Sequence, residues 1–170
     1  MSVIQDDAQM DVAHTITNSA DHSNVYTEAN KEGSQQLPLD VEIRHQLWDN
    51  SENVFQARHD IIFAQSIVEG EYAFFSAGDT VYLINSLHNS KLEVLVSGKS
   101  LSINKSLLNA KEAVFIGTPY LIANNSHIDA PNIYISNNCI YQGDSNLFGG
   151  EVHRVASDEL EGIFNDYVAG

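Results

Sequence analysis

This 170-residue sequence is short of cysteine, cations and long apolar runs, and each shortage excludes something. Its single cysteine, Cys139, forbids an internal disulfide, so the chain must hold together by packing alone, and it suits a reducing compartment. No apolar stretch approaches the ~20 residues a helix needs to span a bilayer, and MSVIQDDAQM at the start lacks the basic and apolar regions of a secretory signal. The expectation is a protein that is cytoplasmic as made, with no membrane contact, and with export lacking a cleaved signal left open. Only 8 lysines and arginines oppose 23 aspartates and glutamates, for a net charge of −15. That balance repels nucleic acid and anionic lipid and permits cationic partners. Much of the charge sits in the tails: residues 1–40 carry seven acids and one lysine and residues 151–170 five acids and one arginine, against eleven acids and six bases between them. Glycine-rich phosphate loops, Cys or His clusters at ligand spacing and an ice-binding threonine ladder are missing too, so no cofactor and no metal is expected.

What is present is a repeat. From Val41 to about Gly150 the sequence recurs every 20 residues without insertion or deletion. With Val41 as the first position of the first line, the sixth position reads Gln46, Ser66, Ser86, Ser106, Ser126, Asn146. Four serines in a row has a chance on the order of one in ten thousand. The first position is Val41, Ile61, Val81, Leu101, Leu121, Tyr141, and the fifteenth is Phe55, Phe75, Leu95, Phe115, Ile135. Apolar alternation divides each line into three short strands, and polar or small pairs such as Asp49-Asn50 and Gly78-Asp79 mark the corners between them. Strands stacked in parallel at ~4.8 Å then predict an all-β fold, a single-stranded right-handed parallel β-helix of five to six coils over residues 39–156. A left-handed β-helix needs a hexapeptide period, of which 20 is no multiple, and a four-sided pentapeptide solenoid fails at positions eleven and eighteen.

Residues 1–38, polar and without period, read as a flexible acidic tail. Residues 157–170 place Leu160, Ile163, Phe164, Tyr167 and Val168 on one helical face, an amphipathic helix expected to cap the open edges of the last coil. The serine position reads as a corner where each hydroxyl bonds its equivalent or a turn amide. Positions fourteen and fifteen are both apolar, and neighbours in a strand face opposite ways. Position fifteen is expected inside and position fourteen outside, so that Val54, Phe74, Val94, Val114 and Tyr134 form an apolar ladder and an association face.

The line form, an apolar strand, then Asn85-Ser86, Lys105-Ser106 or Asn125-Ser126, a polar turn, and strand pieces such as Ala73-Phe74-Phe75 and Ala113-Val114-Phe115, resembles an uncharacterised family of bacterial right-handed β-helix proteins with 20-residue coils, within the pectate-lyase-like solenoids. The likeness covers residues 41–150 and rests on coil packing, so it implies a fold and no activity. Larger members of the wider group are often polysaccharide lyases or hydrolases with carboxylates and bases on adjacent coils.

Measured against that chemistry, the densest polar set is Arg44, His45, Asp49, Arg58, His59, Asp60 and Glu69, with Asp49, Glu69, His45 and Arg58 the candidate catalytic residues. Asp49 and Glu69 share a position one coil apart, ~5 Å between backbones and near the carboxylate separation of retaining glycosidases. Position nine is nonetheless a corner, which favours Asp and Asn for its own reasons, and Arg58 and His59 belong to a different corner. His88 and His127 lie on coils two apart and should not share a metal, and Cys139 has no His and acid partners. Glu69, Glu71, Glu93 and Glu112 scatter over several positions, which argues against mimicry of nucleic acid. The expectation is a non-catalytic binding or scaffold module presenting its ladder face to a protein partner or to itself, the alternative being a carbohydrate-active protein that binds or cleaves a polysaccharide.

Overall fold

The computed structural model describes residues 2–5, by their backbone, and residues 37–170; the remainder of the expected tail lies outside the described residues. The chain is a parallel β-solenoid of about six turns. One sheet runs β1 (Ser2–Gln5), β2 (Asp40–Arg44), β5 (Ile61–Ala64), β8 (Thr80–Ile84), β10 (Ser100–Asn104), β12 (Tyr120–Asn124), β14 (Ile140–Gly143). The second contains β3 (Leu47–Trp48), β6 (Ile67–Glu69), β9 (Leu87–Ser97), β11 (Leu107–Gly117), β13 (His127–Ser136) and β15 (Phe148–Val155), with β4 (Glu52–Ala57) and β7 (Tyr72–Ala77) joining at β9. The backbone of β1 lies beside β2, Ser2 opposite Asp40, so part of the expected tail contributes a strand. Three strands per coil are seen only at the start. From the third coil the second and third strands fuse into one bent strand, 11 residues long in β9 and in β11.

A left-handed residue opens the second wall in each of five coils: His45, Gln65, Asn85, Lys105 and Asn125 have φ between 47 and 54°. For a non-glycine residue that conformation costs about 1–2 kcal/mol. In three of the five coils the serine that follows offsets it. Ser66, Ser106 and Ser126 each donate a hydroxyl hydrogen bond to the carbonyl two residues back, at 2.7, 3.0 and 2.9 Å, bracketing the left-handed residue. The serine Oγ also accepts an amide from the coil before: Gln46 N–H to Ser66 at 3.0 Å, Ser86 N–H to Ser106 and Ser106 N–H to Ser126 at 3.1 Å. These bonds tie Gln46 to Ser66 and run from Ser86 to Ser126, and the strand register on either side sets Ser66 and Ser86 in the same column.

The lumen is filled by the inward alternation. Phe55 and Phe75 stack at 4.8 Å, with Phe63 edge-on to both at 5.3 Å, and aliphatic residues such as Ile103, Ile116 and Ile135 fill the later coils. Strict 20-residue pairing fails at the bend of the later fused strands, where β11 carries one residue more than β9 and β13, and β13 one more than β15. Beyond Ala110 the strand β11 carries an extra residue, so Val114 pairs with Glu93 and Phe115 with Val94; the corner before Tyr120 returns the count, and Leu121 again faces Leu101. Val114 therefore turns into the lumen and Phe115 takes the outward place, a correction to both expected ladders.

The C-terminal helix α1 (Leu160–Ala169) follows a single turn of 3₁₀ helix at Ser157–Glu159. It was expected across the end of the solenoid and instead lies on its side, against the outward row. Phe164 meets Phe74 at 5.5 Å and Phe115 at 5.6 Å between ring centroids, and the Tyr167 and Tyr134 hydroxyls are 3.0 Å apart. A side chain on Gly117 would come within 3.2 Å of Leu160, so glycine there lets the helix start close to the wall. The final coil keeps Ile140 66% and Val152 39% exposed, with Tyr141 and Phe148 half-buried over the core. Among the described residues no helix is long and apolar enough to cross a membrane.

Candidate functional site

The first candidate lies inside the lumen. His88, inward on β9, places Nδ1 2.6 Å from Glu93 Oε2 and Nε2 3.1 Å from Ser86 Oγ, and both His88 and Glu93 are 0% exposed. Ser86 is the one stacked serine whose hydroxyl turns to a histidine and to Ser106 Oγ at 3.2 Å. Phe63 and Phe75 lie 5.4 and 5.3 Å from the imidazole and close it off. A Ser-His-Glu chain can relay a proton, but it acts on a substrate only if the serine is reachable. Here it is buried among core aromatics, so the trio is a structural network. Sequence reasoning assigned Glu93 to scattered surface acids; its place two residues before an inward position was the signal that it points inward too.

The first-coil candidates do not converge as a set: Asp49 and Glu69 are neighbours, but the basic residues lie at other corners. His45 sits exposed on a left-handed corner. Arg58 occupies a different corner, its Nε donating to the Leu37 carbonyl at 3.2 Å. Arg44 pairs with Glu42 at 2.5 Å, and Asp60 Oδ1 accepts the Thr80 amide at 3.1 Å. Asp49 and Glu69 are exposed at the same outward position of successive coils. Among the described residues no three His, Cys, Asp or Glu side chains are grouped to hold a metal ion. His127 lies on the outside of the fifth coil and His88 in the lumen of the third. Cys139 is buried at a corner, where burial raises its thiol pKa against the opposing pull of Arg154.

The expected binding face is occupied by the chain itself. Val54, Phe74 and Val94 are buried, Tyr134 is half-buried, and Phe115 completes the row against which α1 packs. A different row is open. Leu47, Ile67, Leu87 and Leu107 stack on successive coils, with Leu47 and Ile67 38% and Leu107 39% exposed, and His127 continues the line. Two residues on, also outward, run Asp49, Glu69, Asn89, Asn109 and Asp129, with Asn109 Nδ2 donating to Asn89 Oδ1 at 3.1 Å. Beyond this second row lies a groove of about 600 Å³, with Glu69, Asn89, Asn109 and Asp129 on one side and Lys111 and Pro131 on the other. Position nine was legible in the sequence only as a turn, and the aliphatic character of position seven went unread. The chain matches no family model, no curated protein and no solved structure.

Proposed function

We propose that this protein is a non-catalytic binding or scaffold module whose open aliphatic row engages a protein. One observation carries the reading: four aliphatic side chains, stacked coil on coil and more than a third exposed at three of the four, form a flat apolar strip with nothing among the described residues laid over it. Isolated exposed aliphatics are ordinary, whereas an aligned strip marks a contact surface. Burial of the Ser86-His88-Glu93 chain and dispersal of the first-coil polar set support a role without catalysis. On the residue pattern we assign the winding as right-handed and the kinship to bacterial pectate-lyase-like solenoids, acting in the cytoplasm where the chain is made.

A photo-crosslinking residue at position 107, compared with one at Ser102 on the other sheet, tests the reading in living cells. One discrete adduct or a self-adduct at 107, absent at 102 and lost when Ile67→Lys is added, is the expected result. Equal labelling at both positions would defeat it. The groove beside the strip supports a second reading, polysaccharide binding along the walls of Glu69, Asn109 and Asp129. Retention of the wild type, but not of an Asn109→Ala variant, on an immobilised glycan would favour it.

A further inference from the structure

Resting on that reading, the open strip can be assigned an occupant: we infer that it receives an amphipathic helix whose apolar stripe is edged by lysine or arginine. Spacing favours a helix. The four aliphatic rungs repeat at ~4.8 Å, whereas an extended strand laid along them offers same-side residues every ~6.7 Å and falls out of step by the second rung. A helix offers one side chain per turn at ~5.4 Å, and over three intervals accumulates a mismatch of about 2 Å, within the reach of leucine or methionine rotamers.

Charge decides which helix. Each rung pairs an apolar residue with a polar one two positions on: Leu47 with Asp49, Ile67 with Glu69, Leu107 with Asn109. Neither row holds a lysine or arginine, the nearest bases being Lys105 and Lys111 on either flank of the Leu107 rung, and carboxylates mark both ends of the second row, Asp49 and Glu69 at one and Asp129 at the other. A basic edge on the partner would meet those carboxylates while its apolar stripe covers the aliphatic row. The same charge argues against a second copy. The chain's own α1 and the turn before it carry Asp158, Glu159, Glu161 and Asp166 with no base, and two chains of −15 repel. That α1 is already seated on an outward row of the neighbouring wall shows that a strand ladder of this protein can hold a helix.

Titration calorimetry of the full chain with two synthetic helices of about 18 residues tests the assignment, one patterned with leucine and lysine and one with leucine and glutamate. The lysine helix should bind and the glutamate helix should not. Ile67→Ser with Leu107→Ser, which leaves the net charge untouched, should weaken the lysine helix by at least about tenfold. Glu69→Gln with Asp129→Asn should weaken it and flatten its salt dependence. Equal binding to the Ile67→Ser, Leu107→Ser variant would expose mere attraction to a polyanion and overturn the inference, as would binding of neither helix. If position 107 still crosslinks a discrete partner while both helices fail, the occupant is wrong and the binding module stands; if both measurements fail, so does the module.

Discussion

Four successive coils turn on a pair of residues, a left-handed one and the serine after it, and the first coil has Gln46 in the serine's place. The serine recurrence was plain in the sequence, and so was its use as a corner. What could not be seen was the strained residue it secures, because His, Gln, Asn and Lys at that position share no chemistry, only a backbone angle. The buried pair was harder still. A histidine on an otherwise apolar position and a glutamate thirteen along the same line look like two unrelated departures until the lumen brings them to 2.6 Å. Removing one partner from a buried pair of this kind costs about 3–5 kcal/mol, whereas replacing both by apolar groups is often neutral. Glu93→Met should therefore lose about that much stability in urea unfolding, and His88→Leu added to it should restore most of the loss. Additive losses in the double variant would mean that the two side chains do not act as a pair.

Among the elements, the strands were more legible than the helix. Alternation with a fixed period sets inside and outside for every wall, and it misplaced Val114 only because the one-residue bulge of β11 leaves no mark in composition. Leu160, Ile163, Phe164 and Tyr167 announced the helix, yet an apolar stripe does not say which apolar surface it will cover. Here the lateral row offered Phe74 and Phe115 as ring partners, and the end of the solenoid was left to Tyr141 and Phe148. Docking raises the Tyr167 phenol to about 12, chiefly through burial and further through the Tyr134 hydroxyl. The free phenol titrates near ~10, so docking favours the protonated form. Its contribution is complete below pH ~10 and disappears as pH rises through about 12. Near-ultraviolet circular dichroism, followed together with tyrosinate absorbance, should show the helix releasing over that window, and Tyr167→Phe should remove the step. An unchanged profile in Tyr167→Phe would assign the transition to another group.

For the solenoid as a unit, the unsolved matter in the sequence was how the stack stops. The inward column that reads Phe55, Phe75, Leu95, Ile116, Ile135 ends in Arg154. Its guanidinium reaches the Cys139 carbonyl at 2.7 Å across the last corner. A further strand laid on β15 would bury that charge against the lumen, and inward-pointing charge is one of the ways sheet edges are kept from growing. Arg154→Ile is accordingly expected to increase the mass seen by light scattering as concentration rises, with Arg154→Lys holding the wild-type value. An Arg154→Ile protein that stays at that value would show the edge to be blocked by something else.

The bulge in β11 has a consequence for how such a protein tolerates change in length. Because the extra residue of β11 is absorbed at the very next corner, the facing sheet keeps its register, and the disturbance stays on one wall, where β15 is likewise offset by one residue from β13. Corners in this architecture act as expansion joints: a codon gained or lost within a wall re-aims a few side chains locally, as it did for Val114 and Phe115, and leaves the rest of the tower plumb.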